Sequence, residues 1–177
     1  MTAEPLVIRP PTPEDAANLL AFELENRAWF ERWVHARDPA SYRLEAILAA
    51  IERAAQDRRA DSGYQYLAFG ADGRIVGGVN LRNVRRGHFR SAELGYHVGE
   101  RETGQGFASA AVALCMREAF GALGLWRVEA TVRPTNRASI RVLEGNAFVE
   151  WGRSTRCVEF DGEWFDLLHF ERHADAA

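Results

Sequence analysis

The sequence contains no lysine: all 22 of its Lys and Arg positions are arginine, in a chain of 177 residues. Without a side-chain amine, the protein has no residue that could form a Schiff base and no lysine for a P-loop phosphate site. Cysteine is almost as scarce. Cys115 and Cys157 are too few for a disulfide scaffold and form no CxxC or Cys/His cluster. We therefore expect no metal site and a reducing, cytoplasmic environment.

Long apolar runs and a strong excess of one charge are also missing. The longest apolar tract near the middle of the chain, residues 108–116, is far shorter than the ~20 residues that a membrane helix requires. Residues 1–9 lack the basic segment and apolar stretch of a signal peptide. A net charge of -3 argues against a protein that coats nucleic acid. We expect a single domain over residues 1–177, with its core at about 5–172 and no membrane or specific nucleic acid as partner.

Hydrophobic residues make up 47% of the chain, and their spacing alternates between the period of a helix and that of a strand. Helices are predicted over residues 12–24, 41–59, 104–120 and 136–144. Strands are predicted over residues 6–8, 64–69, 74–84, 89–98, 126–132, 148–151, 156–160 and 164–170. Because hairpin signals such as Asp72-Gly73 and Asp161-Gly162 separate several strands, the pattern favours an α/β fold. Its sheet is expected to be mixed, mostly antiparallel, of about seven strands flanked by helices, in the order β-α-α-β-β-β-α-β-α-β-β.

A glycine-containing turn between a strand and a helix is the most informative stretch. The strand ends at Val98, and the helix opens directly after Gly104 and Gly106. Glycines let the backbone approach a ligand closely, and a helix N-terminus offers unpaired N–H groups, so the turn suits a pyrophosphate. A turn in which glycine only relieves strain fits the same residues equally well. The turn lacks the Gly-Lys-Ser/Thr ending of a Walker loop and the third glycine of a dinucleotide-binding GxGxxG.

At residues 103–108, Thr-Gly-Gln-Gly-Phe-Ala, the sequence resembles the Gln/Arg-x-x-Gly-x-Gly/Ala motif of the GNAT superfamily of N-acetyltransferases. Thr103 stands where that family usually has Gln or Arg, and Arg101 is a candidate replacement contact for a phosphate. The resemblance implies the GNAT fold, acetyl-CoA as cosubstrate and no metal. The residues that it assigns to the CoA site are Tyr96, His97, Val98, Arg101, Thr103, Gly104, Gln105, Gly106, Phe107, Ala108, Asn136 and Ser139.

Within the superfamily, the sequence is most similar to the ribosomal-protein-alanine N-acetyltransferases. Leu94-Gly95-Tyr96 and Asp161-Gly162-Glu163-Trp164 are among the segments that carry this likeness. It implies transfer of acetyl to the N-terminal α-amine of a protein. Two alternatives stay open: acetylation of a small-molecule amine such as an antibiotic, polyamine or amino sugar, and an acyl-CoA-binding domain without turnover. A homodimer is one expectation for the assembly.

Three residues are candidates for the chemistry that the resemblance implies. Glu93 is the first candidate base; alternation along the strand puts it on one face with His97, the second candidate. Two structural alternatives stay open: Glu93 is a surface residue of a half-exposed strand, and His97 is a histidine at the edge of the core. In this family the strands bearing Val98 and Val132 part, and a backbone N–H near His97 or Val98 would stabilise the oxyanion. Ser139 is the candidate donor to the departing thiolate, because no Tyr follows Asn136 in the next helix; local helix capping is its alternative.

Acidic and aromatic residues over 23–33 are candidates for the acceptor pocket, since acids attract a cationic amine and aromatics shape a cavity. An amphipathic helix end whose aromatics join the core explains the same segment. The residues predicted to bind the acceptor are Asn26, Trp33 and Asn80.

Overall fold

The computed structural model describes residues 6–174. Its strands are β1 (Val7–Arg9), β2 (Tyr64–Phe69), β3 (Ile75–Arg85), β4 (Ser91–Val98), β5 (Arg127–Val132), β6 (Val149–Phe160) and β7 (Glu163–His173). They form one sheet in the order β1-β2-β3-β4-β5-β7-β6. Over the described residues, β4 and β5 are parallel and every other neighbouring pair is antiparallel. The prediction of a mixed, mostly antiparallel sheet of about seven strands is confirmed.

Helices cover both faces of the sheet. They are α1 (Ala16–Glu25), α2 (Arg27–Phe30), α3 (Leu44–Arg59), α4 (Phe107–Phe120) and α5 (Arg137–Gly145). Alternation along β2 divides the core: Leu67 packs with α1 and α3, whereas its neighbours Tyr66 and Ala68 pack with α4 and α5. We call these two sides of the sheet the α1 face and the α4 face. Cys115 is fully buried on the α4 face, where burial raises the pKa of its thiol to about 12, so it serves as packing and not as a nucleophile.

Several element boundaries differ from the predicted ones. The two strands predicted over residues 148–151 and 156–160 are one strand, β6, because the chain between them passes through bulges against β7 instead of a turn. Helix α3 begins at Leu44 and not at residue 41, since Pro39–Ser41 forms a separate 3-10 turn. Helix α2 was not predicted at all.

The termini lie partly outside the described residues. The predicted absence of a signal peptide over residues 1–9 and the domain limits of 1–177 therefore involve residues 1–5 and 175–177, of which the structure gives no description. Between these termini, no helix is long and apolar enough to cross a membrane.

Candidate active site

Strands β4 and β5 pair over only three residues and then part. The last pair joins Glu93 to β5; beyond it, β4 stays paired with β3 as far as Val98, and β5 stays paired with β7 as far as Val132. Residues 94–98 and 130–132 therefore border an opening, which we call the strand gap. Backbone N–H and C=O groups that point into it have no ladder partner on that side, so they can bind an extended ligand. The expected parting of the strands that bear Val98 and Val132 is confirmed.

Residues 99–106, which we call the glycine loop, connect β4 at the open end of the gap to the first turn of α4. Gly104 and Gly106 have φ angles of 79° and 88°, a region that favours glycine, and space is open where their Cβ atoms would stand. Gly106 is the N-cap of α4, whose first N–H groups lack helical partners and carry the positive end of the helix dipole. The loop and the helix start thus form a surface that suits a pyrophosphate.

Side chains of the glycine loop support its own backbone. The Thr103 hydroxyl donates to the Gly99 carbonyl at 3.2 Å, and the Gln105 side-chain amide donates to the Arg101 carbonyl at 2.5 Å. The Arg101 guanidinium is exposed and forms an ion pair with Glu25 at 3.1 Å. Contacts from these side chains to a phosphate stay predictions.

Asn26 ties the glycine loop to α1. Its side chain is buried; Oδ1 accepts the Glu100 N–H at 2.8 Å, and Nδ2 donates to the Phe22 carbonyl at 2.9 Å. A Cβ atom at Gly99 would lie 3.1 Å from Asn26 Oδ1 and closer still to the Glu102 carboxylate, so a side chain there would crowd this contact. Both polar atoms of the Asn26 side chain thus help to position the loop. Its contact with an acceptor stays a prediction.

His97 stands half-buried in an aromatic pocket on the α1 face. Its ring contacts Phe30 edge-on, with 5.0 Å between ring centroids, and lies 6.3 Å from the Phe22 ring. Gly78 pairs with it on β3, where a Cβ atom would come within 2.9 Å of His97 Cε1. Burial lowers the pKa of His97 below 6.5, although the nearby Glu23 carboxylate acts in the opposite direction. The imidazole is therefore neutral at pH 7 and able to accept a proton.

The lowered pKa of His97 predicts a pH-dependent stability. The neutral ring favours the folded state above pH 6.5, and this contribution is lost as the pH falls through the lower pKa of the folded protein. We expect the wild type to lose more stability than His97→Gln between about pH 7.5 and about pH 5. Urea unfolding midpoints of both proteins at both pH values measure this difference, in which the remaining titrating groups cancel. Equal losses in the two proteins would contradict the prediction.

Glu93 is exposed at the closed end of the strand gap. Its register partners are Arg82 on β3 and Glu129 on β5, and no ion pair of Glu93 occurs within residues 6–174. Alternation along β4 places Glu93 on the α1 face, as it does His97. The structure thus brings the two candidate bases to one side of the sheet, at opposite ends of the gap.

Asn80 lies between them on the same face. It pairs with Gly95, and a Cβ atom at Gly95 would stand 2.8 Å from Asn80 Oδ1, so the Asn80 side chain extends over the glycine. This Oδ1 atom is buried and has no hydrogen-bond partner among the described residues. A buried carbonyl oxygen without a donor costs about 1–3 kcal/mol, which a ligand N–H would recover. The predicted role of Asn80 in acceptor binding thus gains a physical basis.

Ser139 and Asn136 lie at the start of α5, across the gap from β4. The Asn136 side chain accepts the Ser139 N–H at 3.1 Å, so Asn136 is the N-cap of α5. The Ser139 hydroxyl lies 2.7 Å from the hydroxyl of Tyr96, a contact that sequence analysis did not anticipate. Asn136 and not Ser139 is thus the capping group, and the Ser139 hydroxyl is held by Tyr96 instead.

Trp33 belongs to a cluster that joins the segment after α2 to the tip of the β6–β7 hairpin. The Arg133 guanidinium lies over the rings of Trp33, Phe160 and Phe165, at 5.4, 4.7 and 5.1 Å from their centroids. His35 Nε2 lies 2.7 Å from the Glu159 carbonyl oxygen of the same hairpin. The Trp33 side chain is exposed and forms part of this cluster; its contact with an acceptor stays a prediction.

Glu23, the first of the acids predicted over residues 23–33 to attract the acceptor, is buried. It forms an ion pair with Arg37, and the charges of both residues influence the pKa of His97. A sequence signal for its burial existed: Glu23 follows Leu19 by four residues, on the stripe of α1 that packs on the sheet. In the part of the chain that the structure describes, no group of three or more His, Cys, Asp or Glu residues could hold a metal ion.

Comparisons with known proteins agree with this geometry. The family model of the GNAT acetyltransferase domain matches residues 5–149. The chain is 33% identical over 162 residues to the probable N-acetyltransferase YjcK of Bacillus subtilis, covering 91% of this chain and 90% of that protein. It is 27% identical over 167 residues to the ribosomal protein uS5-alanine N-acetyltransferase of Escherichia coli, covering 94% and 86%. Among solved structures, Mycobacterium smegmatis RimJ in complex with CoA-disulfide superposes with a TM-score of 0.90, at 32% identity over 98% of this chain and 84% of that chain.

Proposed function

The chain belongs to the GNAT acetyltransferase family, and from that membership we propose that it transfers acetyl from acetyl-CoA to the N-terminal α-amine of a protein. The strand gap that opens onto the glycine loop carries the proposal, because it offers an extended ligand both a groove and an anion site. The relatives support each half of it: RimJ was solved with a CoA-disulfide, and the Escherichia coli relative is named for an alanine of ribosomal protein uS5.

The residues present fit acetyl-CoA, which supplies an acetyl group activated as a thioester. Open space at Gly104 and Gly106, beside the free N–H groups of α4, suits the pyrophosphate. The edges of the strand gap near His97 and Val98 offer backbone groups to the amide-containing pantetheine. Arg101 is exposed, and its guanidinium would contact a phosphate after its ion pair with Glu25 opens.

The acceptor amine enters from the α1 face in this proposal. Asn80 Oδ1 accepts one of its N–H groups, and Glu93 or His97 accepts the proton that the amine must lose. An α-amine has a pKa of about 7.7–8.0, against about 10.4 for a lysine side chain. A substantial fraction of the α-amine is thus neutral at pH 7, so a modest base, acting directly or through water, is sufficient.

Charge that develops on the thioester is stabilised from the two walls of the gap. A backbone N–H near His97 or Val98 donates to the carbonyl oxygen as it becomes negative. The Ser139 hydroxyl, across the gap on α5, donates to the departing sulfur. No lysine and no exposed nucleophile are needed, which fits direct attack by the amine.

An acceptor screen tests the proposed substrate class. Thiol release from acetyl-CoA measures the reaction with each acceptor. We expect kcat/KM for peptides with a free N-terminal alanine to be at least about tenfold higher than for a polyamine or an amino sugar. The same peptides with a blocked N-terminus are the matched control and should release none. If a small amine is acetylated faster than every peptide, the acceptor is a small molecule and not a protein. Tight acetyl-CoA binding without thiol release from any amine would identify a binding domain.

We also propose a cytoplasmic location, because the two cysteines are unpaired and one of them is exposed, as suits a reducing compartment. The homodimer stays a prediction.

A further inference from the structure

Tyr96 and Ser139 form a hydroxyl pair that joins the two walls of the strand gap. The Tyr96 hydroxyl lies 2.7 Å from Ser139 Oγ and 3.0 Å from the Ser139 backbone oxygen. Tyr96 belongs to the part of β4 that has parted from β5, and Ser139 belongs to the first turn of the helix that follows β5. The pair therefore lies beside the path along which a ligand in the gap must pass.

Counting protons shows that the pair has two arrangements. A phenol has one proton, so when Tyr96 donates to the Ser139 backbone oxygen, it can only accept at its own oxygen from the Ser139 hydroxyl. When the phenol instead donates to Ser139 Oγ, the Ser139 proton is free to point elsewhere. The two heavy-atom distances suit both arrangements, so the change requires rotation of two hydroxyl groups and no movement of the backbone.

We propose that Tyr96 is a positioning residue for acetyl transfer: by donating to Ser139 Oγ, it turns the Ser139 hydroxyl toward the CoA sulfur. The inference rests on the proposed acetyl-CoA reaction and adds to it a residue on β4 that acts through Ser139. A hydroxyl that accepts a hydrogen bond is itself a stronger donor, so the Tyr96–Ser139 pair stabilises a thiolate better than Ser139 alone.

The phenol keeps its proton throughout. Burial raises the pKa of Tyr96 to about 12, well above the roughly 8.5 of an ordinary thiol. Proton transfer from Tyr96 through Ser139 to sulfur would therefore run uphill. As the N–C bond forms and the C–S bond breaks, the sulfur retains the electron pair and the Ser139 hydrogen bond, while the proton of the amine passes to the base on the α1 face.

Titration of the bound CoA thiol, followed by thiolate absorbance in the ultraviolet, tests the pair without an acceptor. We expect Tyr96→Phe to raise the pKa of the bound thiol by about half a unit to one unit. In turnover, it should lower kcat about tenfold and leave the KM for acetyl-CoA unchanged. In the Ser139→Ala background, Tyr96→Phe should have little further effect, because the group it positions is gone.

Tyr64→Phe is the matched control. Tyr64 is another buried tyrosine with one side-chain partner, Asp61 Oδ1 at 2.5 Å, but it lies on β2, away from the gap. The control should keep the wild-type thiol pKa and kcat, which separates positioning from general loss of stability. Ser139→Ala, which removes the donor itself, should raise the thiol pKa at least as much as Tyr96→Phe does, and an unchanged thiol pKa in it would overturn the inference even if Tyr96→Phe does not fold.

Three other results would overturn the inference. An unchanged thiol pKa in Tyr96→Phe would remove the role of Tyr96 while leaving the proposed function intact. The same fold-loss of kcat with and without the Ser139 hydroxyl would show that Tyr96 does not act through Ser139. Absence of CoA binding to the wild type would overturn this inference and the proposed function together. A thiol shift in a protein that acetylates no peptide would support Tyr96 and reject only the acceptor.

Discussion

Replacing Gly106 by valine should weaken acetyl-CoA binding by about 100-fold or more. At a φ of 88°, an L-residue costs about 1–2 kcal/mol, and a β-branched side chain is worse. If the chain relieves this strain by turning the peptide, the N–H groups at the start of α4 no longer point at the anion site, and each hydrogen bond lost to a charged group costs about 1.5–3 kcal/mol. Titration calorimetry with acetyl-CoA measures the result.

Gly124→Val provides the control for strain alone. Gly124 follows the other end of α4, also has a positive φ, 58°, and also has open space at its Cβ position. The Gly124→Val variant should lose about as much folding stability as Gly106→Val, but it should bind acetyl-CoA as tightly as the wild type does. Unaltered binding by Gly106→Val would show that the glycine loop does not hold the pyrophosphate.

Glu93→Gln should lower kcat by about 10²–10⁴ and leave the KM for acetyl-CoA nearly unchanged. Glutamine keeps the size and the hydrogen-bonding capacity of the side chain but cannot accept a proton. Glu93 is exposed at the closed end of the strand gap and has no ion pair within residues 6–174, so under the proposed mechanism its carboxylate takes the proton of the amine through water. Initial rates of thiol release at saturating peptide measure the effect.

His97→Gln separates the two candidate bases. If His97 is the base, its replacement produces the large loss and Glu93→Gln produces a small one. Glu52→Gln, on the exposed side of α3 and paired with Arg59, should match the wild type. Near wild-type rates in both Glu93→Gln and His97→Gln would leave water as the proton acceptor and remove both assignments.

Local patterns predicted most of the fold because most of its elements carry a local signal. Asp72-Gly73 and Asp161-Gly162 mark two hairpins, and the apolar stripe of α4 fills the core of one sheet face. The boundaries inside β6 could not be predicted, since a bulge replaces the regular alternation with residues that read as a turn. Helix α2 has only four residues, too few for a period to appear in the sequence.

The sequence predicted the part of the candidate site that is formed by backbone conformation. It did not predict the part that depends on contacts between side chains far apart in the sequence. Gly104 and Gly106 indicated a ligand-binding turn because positive φ angles and open space are properties of glycine itself. The Tyr96–Ser139 contact joins residues 43 positions apart, and the Glu100–Asn26 bond joins residues 74 apart. A local sequence pattern cannot predict contacts over such separations, so those of Asn26 and Tyr96 became apparent only in the folded chain.

The short junction between β4 and β5 has a mechanical consequence. Within the described residues, strands β1 to β4 pair with strands β5 to β7 through three residue pairs only, all between β4 and β5. A cosubstrate bound along the opening, as proposed, would contact both groups of strands and link them where they do not pair. Binding would then also raise the free energy of unfolding, by about 2.7 kcal/mol at a free cosubstrate concentration 100-fold above Kd. We therefore expect the protein with its cosubstrate bound to resist unfolding more than the free protein does.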